Sequence, residues 1–586
     1  MKTLNTSLRL LFSLILVLGS LLTSCDPKSD DNDDSFNPIN TIDEGSLDLG
    51  LSIQRDFMGR IVDETNLPIE NVVVTIGLDV VSTDANGMFI INNADVKERQ
   101  AFIVAEKTGY LKGMRSVVPT AGTNTVRFML VPENIVATVA SGADSEVNLP
   151  NGTTVKFDGA FKDENGNAYS GNVDVIMYHL DPSNPSIDDI MPGSLQAQND
   201  NGDERVLESY GMLNVELRGA SGEELNIADG HVAEIELPVD PAQSGVAPST
   251  IPLWHFDEVN GYWIEGGQAT LVGEKYIAEV SHFSWWNCDA QFPTVALCLN
   301  VVDTANVPLS NVRVELWRSG ATYPRVGVSD ASGEICGLIP ANEILTLKAF
   351  DQCGVEVHNM SIGPFATDTN YGDIVFPVVT ASIITGNLVD CFNANVTNGY
   401  AAITYGSDYT AVNITNGSFS LSVIECASLP TYSLEGVDFD TFQTTTALPF
   451  NFSNLTLGNL IACTAVTEYI TIQIDNDPVD YYLTDINAGQ NGGSYFSANA
   501  KNASGDSFYF GGNTITPGTY TMSSQDFWIE SSTLDLNYNI PNTITFTLNN
   551  YGAIGQYIDL IISGTYTDNS GSVRTIAGTV HVLRDN

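Results

Sequence analysis

Most of this chain consists of short segments in which apolar and polar residues alternate with a period of two. In one of them, Val312, Val314 and Leu316 would face one side of a strand, with Arg313 and Glu315 on the other. These segments are rich in Val, Ile, Thr, Tyr and Phe and stop at Gly, Asn, Asp or Pro, whereas helical spacing is almost absent after residue 50. Antiparallel sheets bury one face and expose the other. The sequence therefore predicts an all-β fold.

Length and charge restrict the organisation and the partners. A chain of 586 residues needs several separate cores, and small β units would supply about four or five. The 71 acidic and 23 basic side chains give a net charge of −48. Nucleic-acid partners require clusters of basic residues that displace counterions, so we exclude them.

The amino terminus predicts export and lipid attachment. Lys2 and Arg9 are followed by an apolar run that ends at residue 22 and is shorter than the ~20 residues that span a bilayer. Residues 22–25 read Leu-Thr-Ser-Cys, which resembles the lipobox of bacterial lipoproteins. The resemblance implies a signal peptide over residues 1–24 and a lipid on the thiol of Cys25. An ordinary signal peptide followed by a chance cysteine is the alternative.

Residues 25–50 are predicted to form an acidic tether. Five aspartates fall between residues 26 and 34, and like charges extend a solvated segment of this kind. The run resembles signals that send some Gram-negative lipoproteins to the cell surface, and a plain solvated linker is the alternative. We expect an outer-membrane lipoprotein that is exposed on the surface, with the periplasmic side as the other possibility. The membrane is then a partner through the lipid anchor.

A sequence pattern occurs three times along the chain. The copies comprise Gly59–Asp63, Pro68, Asn71–Val74 and Thr83–Phe89; Val301–Asp303, Pro308, Asn311–Val314 and Ser329–Ile335; and the weaker Gly386–Asp390 and Thr415–Phe419, without the Pro. Each copy predicts a strand, a turn, a second strand and a tight hairpin in which Gly supplies a positive φ.

At these residues the chain resembles the carboxypeptidase regulatory-like family of small, transthyretin-like Greek-key β-sandwiches. The resemblance implies three tandem β-sandwich modules: module 1 over residues 51–132, module 3 over 294–377 and module 4 over 378–465. In that family the module is an accessory part of extracellular proteins and is not a peptidase. The resemblance therefore implies no catalysis.

Two further modules complete the predicted organisation. Module 2, residues 133–293, is similar to a region of cartilage intermediate layer proteins and bacterial surface proteins, which implies an extracellular setting and no catalytic residues. The similarity lies in Tyr178–Pro182, Met191–Gly193, Ser209–Leu217, Ile251–Phe256 and His282–Asn287. Module 5, residues 466–586, resembles no family that we recognise, and its alternating segments predict a fifth β-sandwich.

The sequence contains no convincing catalytic motif. His231 and Glu234 match two ligands of a metallocarboxypeptidase zinc site, but residues three apart on a strand point to opposite faces, so we predict no metal site there. Nucleophile elbows, glycine-rich phosphate loops and Cys-x-x-Cys pairs are missing. We predict a protein that is not an enzyme, although paired carboxylates for glycoside hydrolysis stay open.

Three acidic loops offer oxygen atoms that could bind a structural calcium ion. They are Asp84–Gly87, Asp163–Asn167 and Asn199–Asp203, and none has EF-hand spacing. Hairpin turns also require Asp or Asn before Gly, so tight turns are the main interpretation. We expect no cofactor, with calcium between acidic modules as the alternative.

Aromatic residues concentrate between residues 254 and 286. Trp254, Trp263, Trp285 and Trp286 could form a stacking platform for a glycan or peptide. A place in the core is the more common role, and Trp254 and Trp263 could form a cross-strand pair around a hairpin loop.

Seven cysteines follow Cys25, and the exported address permits disulfides. Cys336 and Cys353 fall in module 3, while Cys391, Cys426 and Cys463 fall in module 4, so we expect bridges inside modules. Cys288 and Cys298 complete the odd set; the connectivity stays open, and buried free cysteines are the alternative.

We therefore expect a non-catalytic, lipid-anchored envelope protein with a row of five β modules. It would act as a spacer, an adhesin or a scaffold that contacts an extracellular glycan or protein. A carbohydrate- or peptide-capture protein of an uptake system is the first alternative. A hydrolase with carboxylates in residues 133–293 or 466–586 is the second.

Overall fold

The structure is a computed structural model that describes residues 47–585, except 352–353, 377–380, 406–407, 425–430, 452, 464–467, 476–479, 491, 494, 503, 523–525 and 532–533. The predicted signal peptide, Cys25 and nearly all of the acidic tether lie outside the described residues. The described part contains 43 strands and a single helical turn, which confirms the all-β prediction. No helix within it is long and apolar enough to cross a membrane.

Module 1 is a sandwich of two sheets. Its strands are β1 (Ser52–Val62), β2 (Val73–Ile76), β3 (Asp79–Ser82), β4 (Met88–Lys97), β5 (Ala101–Glu106), β6 (Gly113–Val117) and β7 (Thr123–Met129). One sheet has the order β4-β1-β7 and the other β3-β2-β5-β6. Alternate apolar residues of both sheets, such as Phe57, Val74 and Phe128, meet in one core because each strand points every second side chain inward.

Module 2 contains most of the largest sheet. Its elements are β8 (Ile135–Ala140), β9 (Ser145–Asn148), β10 (Thr154–Phe157), β11 (Phe161–Asp163), β12 (Asn172–Leu180), α1 (Ile187–Ile190), β13 (Gln196–Gln198), β14 (Glu204–Gly219), β15 (Glu224–Ile227), β16 (Ala233–Pro238), β17 (Thr250–Asp257), β18 (Tyr262–Val272), β19 (Lys275–Val280) and β20 (Trp285–Asp303). Its main path runs β11-β15-β14-β20-β17-β18-β19-β16-β10-β9. Strand β20 continues through the boundary that we predicted after residue 293 and becomes the first strand of module 3.

Modules 3 and 4 are also two-sheet sandwiches. Beside β20, module 3 has β21 (Arg313–Arg318), β22 (Arg325–Val328), β23 (Glu334–Pro340), β24 (Leu345–Phe350), β25 (Glu356–Ile362) and β26 (Thr369–Phe376). Module 4 has β27 (Ala381–Val389), β28 (Gly399–Tyr405), β29 (Asp408–Asn413), β30 (Ser418–Ile424), β31 (Thr431–Asp438), β32 (Gln443–Thr444), β33 (Leu448–Asn451) and β34 (Leu455–Ile461). In modules 1, 3 and 4 the first strand pairs in parallel with the last one, as β1–β7, β20–β26 and β27–β34.

The first two copies of the sequence repeat share their internal hydrogen bonds. The Val72 N–H donates to Thr83 Oγ1 at 2.9 Å, and at the equivalent place the Val312 N–H donates to Ser329 Oγ at 2.9 Å. The hairpin glycine has a φ of 71° at Gly87, where an added Cβ would lie 2.3 Å from a carbonyl oxygen of β1. The repeat therefore encodes one turn geometry that a side chain at this glycine would disrupt.

Module 5 differs from the sandwich that we expected. Its strands are β35 (Tyr469–Ile474), β36 (Asp480–Gln490), β37 (Phe496–Asn502), β38 (Ser507–Gly512), β39 (Gly518–Thr521), β40 (Phe527–Ser531), β41 (Thr545–Tyr551), β42 (Tyr557–Thr567) and β43 (Val573–Leu583). They form one antiparallel nine-stranded sheet, β39-β41-β42-β43-β35-β36-β37-β38-β40, instead of two separate sheets. Tyr520 of one edge strand stacks on Phe527 of the other with ring centroids 5.0 Å apart, so the sheet curls around its own core.

Modules 1 and 4 are in direct contact although more than 300 residues separate their contacting side chains along the chain. Met58 and Met88 of module 1 share a small core with Tyr400 and Val437 of module 4. In the same contact, the buried Tyr400 hydroxyl donates to Asp84 Oδ2 at 2.7 Å. We expected the modules to follow one another in a simple row. This expectation is wrong, because module 4 packs back onto module 1.

Candidate functional site

The four candidate tryptophans are buried and offer no stacking platform. Trp254 and Trp263 are 0% exposed, Trp285 is 3% exposed and Trp286 is 2% exposed. A glycan platform needs an accessible ring face, and none of these indoles provides one. The structure thus excludes the aromatic platform that we considered for this stretch.

Three of these indoles hold modules 1 and 2 together. Trp254, Trp263 and Trp285 lie in a core that also contains Leu111 and Met114 of module 1. The Trp263 Nε1–H donates to a main-chain carbonyl at 2.8 Å, which satisfies its polar group.

The predicted cross-strand pair of Trp254 and Trp263 does not form. The hairpin lies where expected, but the register places Trp263 opposite Phe256, with ring centroids 5.3 Å apart. Trp254 lies opposite Glu265, after a bulge in the pairing of β17 with β18.

Two disulfides lie inside modules. One of them contains Cys298, a cysteine that we did not expect to be bonded. Cys336 bonds to Cys298, which lies directly opposite on the neighbouring strand β20, and therefore does not pair with Cys353. Cys391 bonds to Cys463. Cys353 and Cys426 lie outside the described residues.

The remaining described cysteine is a core residue. Cys288 is free and buried, and burial raises the pKa of its thiol. A thiol that is protonated and covered by protein is a poor nucleophile and a poor metal ligand.

The predicted metal candidates have other structural roles. His231 Nδ1 lies 2.5 Å from Asp158, while Glu234 accepts from Lys156 at 2.6 Å, so the pair does not converge on one point. Among the described residues, one cluster has metal-ligand spacing: Cys298, Cys336 and Glu334. Both of its sulfurs belong to a disulfide, so it offers no thiolate to a metal.

The acidic loops use their oxygen atoms to cap turns. Asp84 Oδ1 accepts the N–H groups of Asn86 and Met88, each at 2.9 Å. Asp163 and Asn199 accept N–H groups two and four residues ahead in the same manner. This geometry is that of the tight turns that we gave as the main interpretation, with calcium as the alternative.

A cavity of about 490 Å³ is the candidate functional site. It lies between modules 1, 2 and 3, and Tyr409 and Ala411 of module 4 reach its wall. Thr125, Pro185 and Val328 of the lining are exposed, so the cavity opens to solvent beside these residues. Ligand pockets in proteins have volumes of roughly 300–1,000 Å³, and the space is large enough for a small molecule.

Arginines dominate the charge of this cavity. Six of the 13 arginines of the chain line it, in a protein with a net charge of −48. They are Arg60, Arg99, Arg115, Arg127, Arg313 and Arg325. The lining contains three carboxylates, Asp188, Asp189 and Asp330.

Strand alternation places these arginines outside the cores of their own modules. In β7, Val126 and Phe128 point into the core of module 1, so Arg127 between them points the other way. Arg60 of β1 is the direct cross-strand neighbour of Arg127. Like charges at such positions repel, and this repulsion contributes to a lowered pKa of Arg60, mainly caused by burial.

Three of the arginines have ion-pair partners. Arg127 Nε donates to Asp189 at 2.8 Å, Arg313 Nη2 lies 3.1 Å from Glu315, and Arg99 pairs with Glu204 at 2.7 Å and also with Asp368. Arg60, Arg115 and Arg325 form no ion pair with any residue in the described part of the chain.

Arg115 is the least satisfied of the six. Its Nε and Nη1 are covered by protein and have no hydrogen-bond partner among the described residues, and burial lowers its pKa. The effective cost of removing an unpaired ion from water is several kcal/mol. Asp188 lies near enough to interact with Arg115 electrostatically, and burial raises the pKa of Asp188.

Sequence reasoning missed this site because its parts lie far apart along the chain. Arg115 and Arg325 are separated by 210 positions and lie in different modules. One signal was present: the few basic residues of an acidic chain alternate with core residues on strands, as Arg127 and Arg313 do. The alternation indicates which way they point, but not which module they face.

Comparisons with known proteins add one relative in sequence. Over 120 residues the chain is 32% identical to cartilage intermediate layer protein 1 of Sus scrofa. The match covers 20% of this chain and 19% of that protein, so the chain spans about a fifth of the length of this relative. This is the family that the motifs of module 2 resemble. No protein-family model matches the chain.

The solved structures that are similar to parts of this chain include two bacterial proteins. The shaft pilin of Lactobacillus rhamnosus GG has a TM-score of 0.17 at 10% identity, over 29% of this chain and 98% of the pilin. A DUF3823 family protein from Bacteroides ovatus has a TM-score of 0.12 at 12% identity, over 34% of this chain and 98% of that one.

Proposed function

We propose that this chain is a non-catalytic binding protein of the bacterial cell envelope, held by a lipid on Cys25, that captures an extracellular ligand in the cavity between its modules. The observation that carries the proposal is the solvent-open cavity of about 490 Å³, which is lined by six arginines, three of them without an ion pair to any described residue. Buried charge without a partner costs stability and is commonly retained for binding. The cavity favours capture over the spacer role.

The lipid anchor and surface location are separate parts of this proposal. They rest on the Leu-Thr-Ser-Cys sequence at residues 22–25 and on the acidic run that follows. Metabolic labelling with an alkyne fatty acid should label the wild-type chain and leave Cys25→Ser unlabelled. Protease treatment of intact cells should then digest the labelled chain. Labelling of Cys25→Ser would contradict the anchor, and protection until the outer membrane is breached would contradict surface display.

The binding role can be tested by filling the cavity. Gly337 lines it, and an added Cβ there would meet no atom within 4 Å, so Gly337→Phe should occupy the space without disturbing the strand. Gly458→Phe is the matched control because Gly458 also lies on a strand in open space, outside the cavity lining. A library of extracellular oligosaccharides and peptides, screened by thermal shift, should yield ligands whose effect Gly337→Phe removes and Gly458→Phe keeps. Ligands that stabilise both variants equally would place binding elsewhere.

Hydrolysis is a second candidate, favoured by one observation. The raised pKa of Asp188 in a ligand-sized cavity is typical of a general acid. The ligands from the screen, incubated with wild type and with Asp188→Asn, distinguish the two roles. Intact ligand after prolonged incubation supports capture, whereas turnover that Asp188→Asn abolishes supports hydrolysis.

A further inference from the structure

We propose that module 5 carries a second binding site, in which Trp528 and Tyr495 stack against the sugar rings of a neutral glycan. The site is separate from the cavity of the proposed capture function, because none of the described residues of module 5 lines that cavity. It lies on the outer face of β37, β38 and β40, the three strands at one end of the module 5 sheet.

Strand alternation turns the aromatic residues of these strands in two directions. Phe508 of β38 and Phe527 of β40 point into the core of module 5. Tyr509 and Trp528 follow them directly on the same strands, so they point outward. Their side chains and that of Tyr495, which precedes β37, are partly exposed. Unlike the four buried tryptophans of module 2, these rings can therefore reach a ligand.

The indole of Trp528 lies flat on the sheet. Gly511 is its cross-strand neighbour, and a Cβ added to Gly511 would lie 2.5, 2.7 and 3.1 Å from three consecutive atoms of the indole six-membered ring. Because these bonded atoms lie at similar distances, the indole covers the glycine with one face. The Tyr495 ring is parallel to the indole within 7°, with ring centroids 5.5 Å apart. Parallel rings at this separation are offset, so each leaves part of a face uncovered.

Polar groups border the rings. The Tyr495 and Tyr509 hydroxyls lie 2.7 Å apart, and Asn499 and Glu530 are the two cross-strand neighbours of Tyr509. No Ala, Val, Leu, Ile or Met occupies an outward position of the three strands, all of whose outward residues the structure describes. A pyranose ring with equatorial hydroxyls fits such a surface, because its C–H bonds pack on the electron-rich ring face while its hydroxyls bind the polar border. An apolar peptide segment would cover these polar groups without hydrogen-bonding them.

The charge beside the rings favours a neutral glycan. Glu530 is exposed on the same face as Trp528, two residues further along β40, and forms no ion pair with a described residue. The pKa of the Tyr495 hydroxyl is raised mainly by its hydrogen bond with Tyr509, and the nearby charge of Glu530 adds to the shift. Lys501, the one basic residue of the three strands, is paired with Asp485 at 2.8 Å. A glycan with carboxylate groups would therefore meet an uncompensated negative charge.

The test is isothermal titration calorimetry on the full folded chain, with Cys25→Ser to prevent lipidation. The neutral probes are cellohexaose and xylohexaose, whose rings carry equatorial hydroxyls. The acidic probe is the hexamer of β-1,4-linked glucuronate, which differs from cellohexaose in having a carboxylate at C6. Octaproline is the peptide probe, since aromatic surfaces also bind proline-rich segments. We expect at least one neutral hexamer to bind at least tenfold more tightly than the acidic hexamer and the peptide.

Two substitutions of Trp528 locate the binding. Trp528→Ala should weaken the neutral hexamer at least tenfold, whereas Trp528→Phe keeps an aromatic face and should retain most of the affinity. Trp317→Ala is the matched control, because Trp317 is a partly exposed strand residue of module 3 whose ring lies 5.5 Å from the Lys348 ammonium group. It should bind like the wild type.

A footprint avoids substitutions and keeps the proposal testable if Trp528→Ala fails to fold. N-bromosuccinimide oxidises accessible indoles, and mass spectrometry of peptides reports each site. The neutral hexamer should slow the oxidation of Trp528 and leave that of Trp317 unchanged.

The outcomes separate this site from the cavity. Absence of binding by both neutral hexamers, full binding by Trp528→Ala, or unprotected Trp528 in the footprint would overturn the site. Tighter binding of the acidic hexamer would overturn the neutral glycan, and tighter binding of octaproline would assign the face to a peptide. Loss of hexamer binding in Gly337→Phe would place the glycan in the cavity, which overturns this inference and supports the capture function. If the library screen yields no cavity ligand while Trp528 is protected by a hexamer, the capture function fails and this site stands.

Discussion

The contact between modules 1 and 4 should weaken as pH rises, because it contains a buried carboxyl group. Asp84 is 4% exposed, and burial raises its pKa from 3.8 to about 6, although hydrogen bonds from Tyr400, Asn86 and Met88 oppose the shift. The native protein therefore holds the Asp84 proton more tightly than the unfolded chain does. This contribution to stability is fully present below about pH 4 and is lost as pH rises through about 6.

The size of the effect follows from the two pKa values. The difference between 3.8 and about 6 is about two pH units, and each unit corresponds to about 1.4 kcal/mol. Between pH 4 and pH 7 the unfolding free energy of the wild type should thus fall by about 2 kcal/mol relative to Asp84→Asn, whose amide does not titrate, because the carboxyl of the unfolded chain is already partly ionised at pH 4.

Hydrogen–deuterium exchange in graded urea, followed in peptides from β1 to β7, measures this difference locally, which avoids a two-state assumption for a chain of several modules. Asp163→Asn is the matched control, because it changes an exposed carboxyl at the same position of a similar turn, and the pKa of Asp163 is lowered. The unfolding free energy of the wild type minus that of Asp163→Asn should not fall between pH 4 and pH 7. If the unfolding free energy of the wild type minus that of Asp84→Asn stays constant or rises over this range, the reasoning is refuted.

The other predictions concern the core residues. Trp263→Ala should destabilise the joint between modules 1 and 2 by about 3–5 kcal/mol in urea unfolding, since a fully buried indole and its hydrogen bond to Ser194 are lost; an unchanged midpoint would contradict its place in the core. Replacing Cys298 and Cys336 together by Ala should lower the stability of module 3 by about 4 kcal/mol in the chain-entropy model, because the bridge closes a loop with a sequence separation of 38. Peptide mapping without reductant should recover the two cysteines linked, and a Cys336–Cys353 peptide would show a different pairing. Cys288 should stay unlabelled by iodoacetamide in the folded protein and react after denaturation, since its thiol is buried with a raised pKa; rapid labelling of the native protein would be inconsistent with this burial.

The local structure of this protein was readable in its sequence. Period-two alternation, as at Val312 and Val314, gave the strands and the side of each that enters the core. The Asp and Gly residues of the repeats, such as Asp84 and Gly87, gave the turns. These features are local, because strand pleating and turn geometry depend on neighbouring residues and their backbone angles.

Tertiary structure decided which surfaces meet. The sequence indicated that Trp263 could be core or platform, and only the packing of module 1 on module 2 buried it. The sequence left the partner of Cys336 open, and the register of β20 against β23 selected Cys298. Arg115 and Arg325 share a cavity because whole modules pack against one another, and such packing depends on the complementary shape and charge of surfaces that lie far apart along the chain.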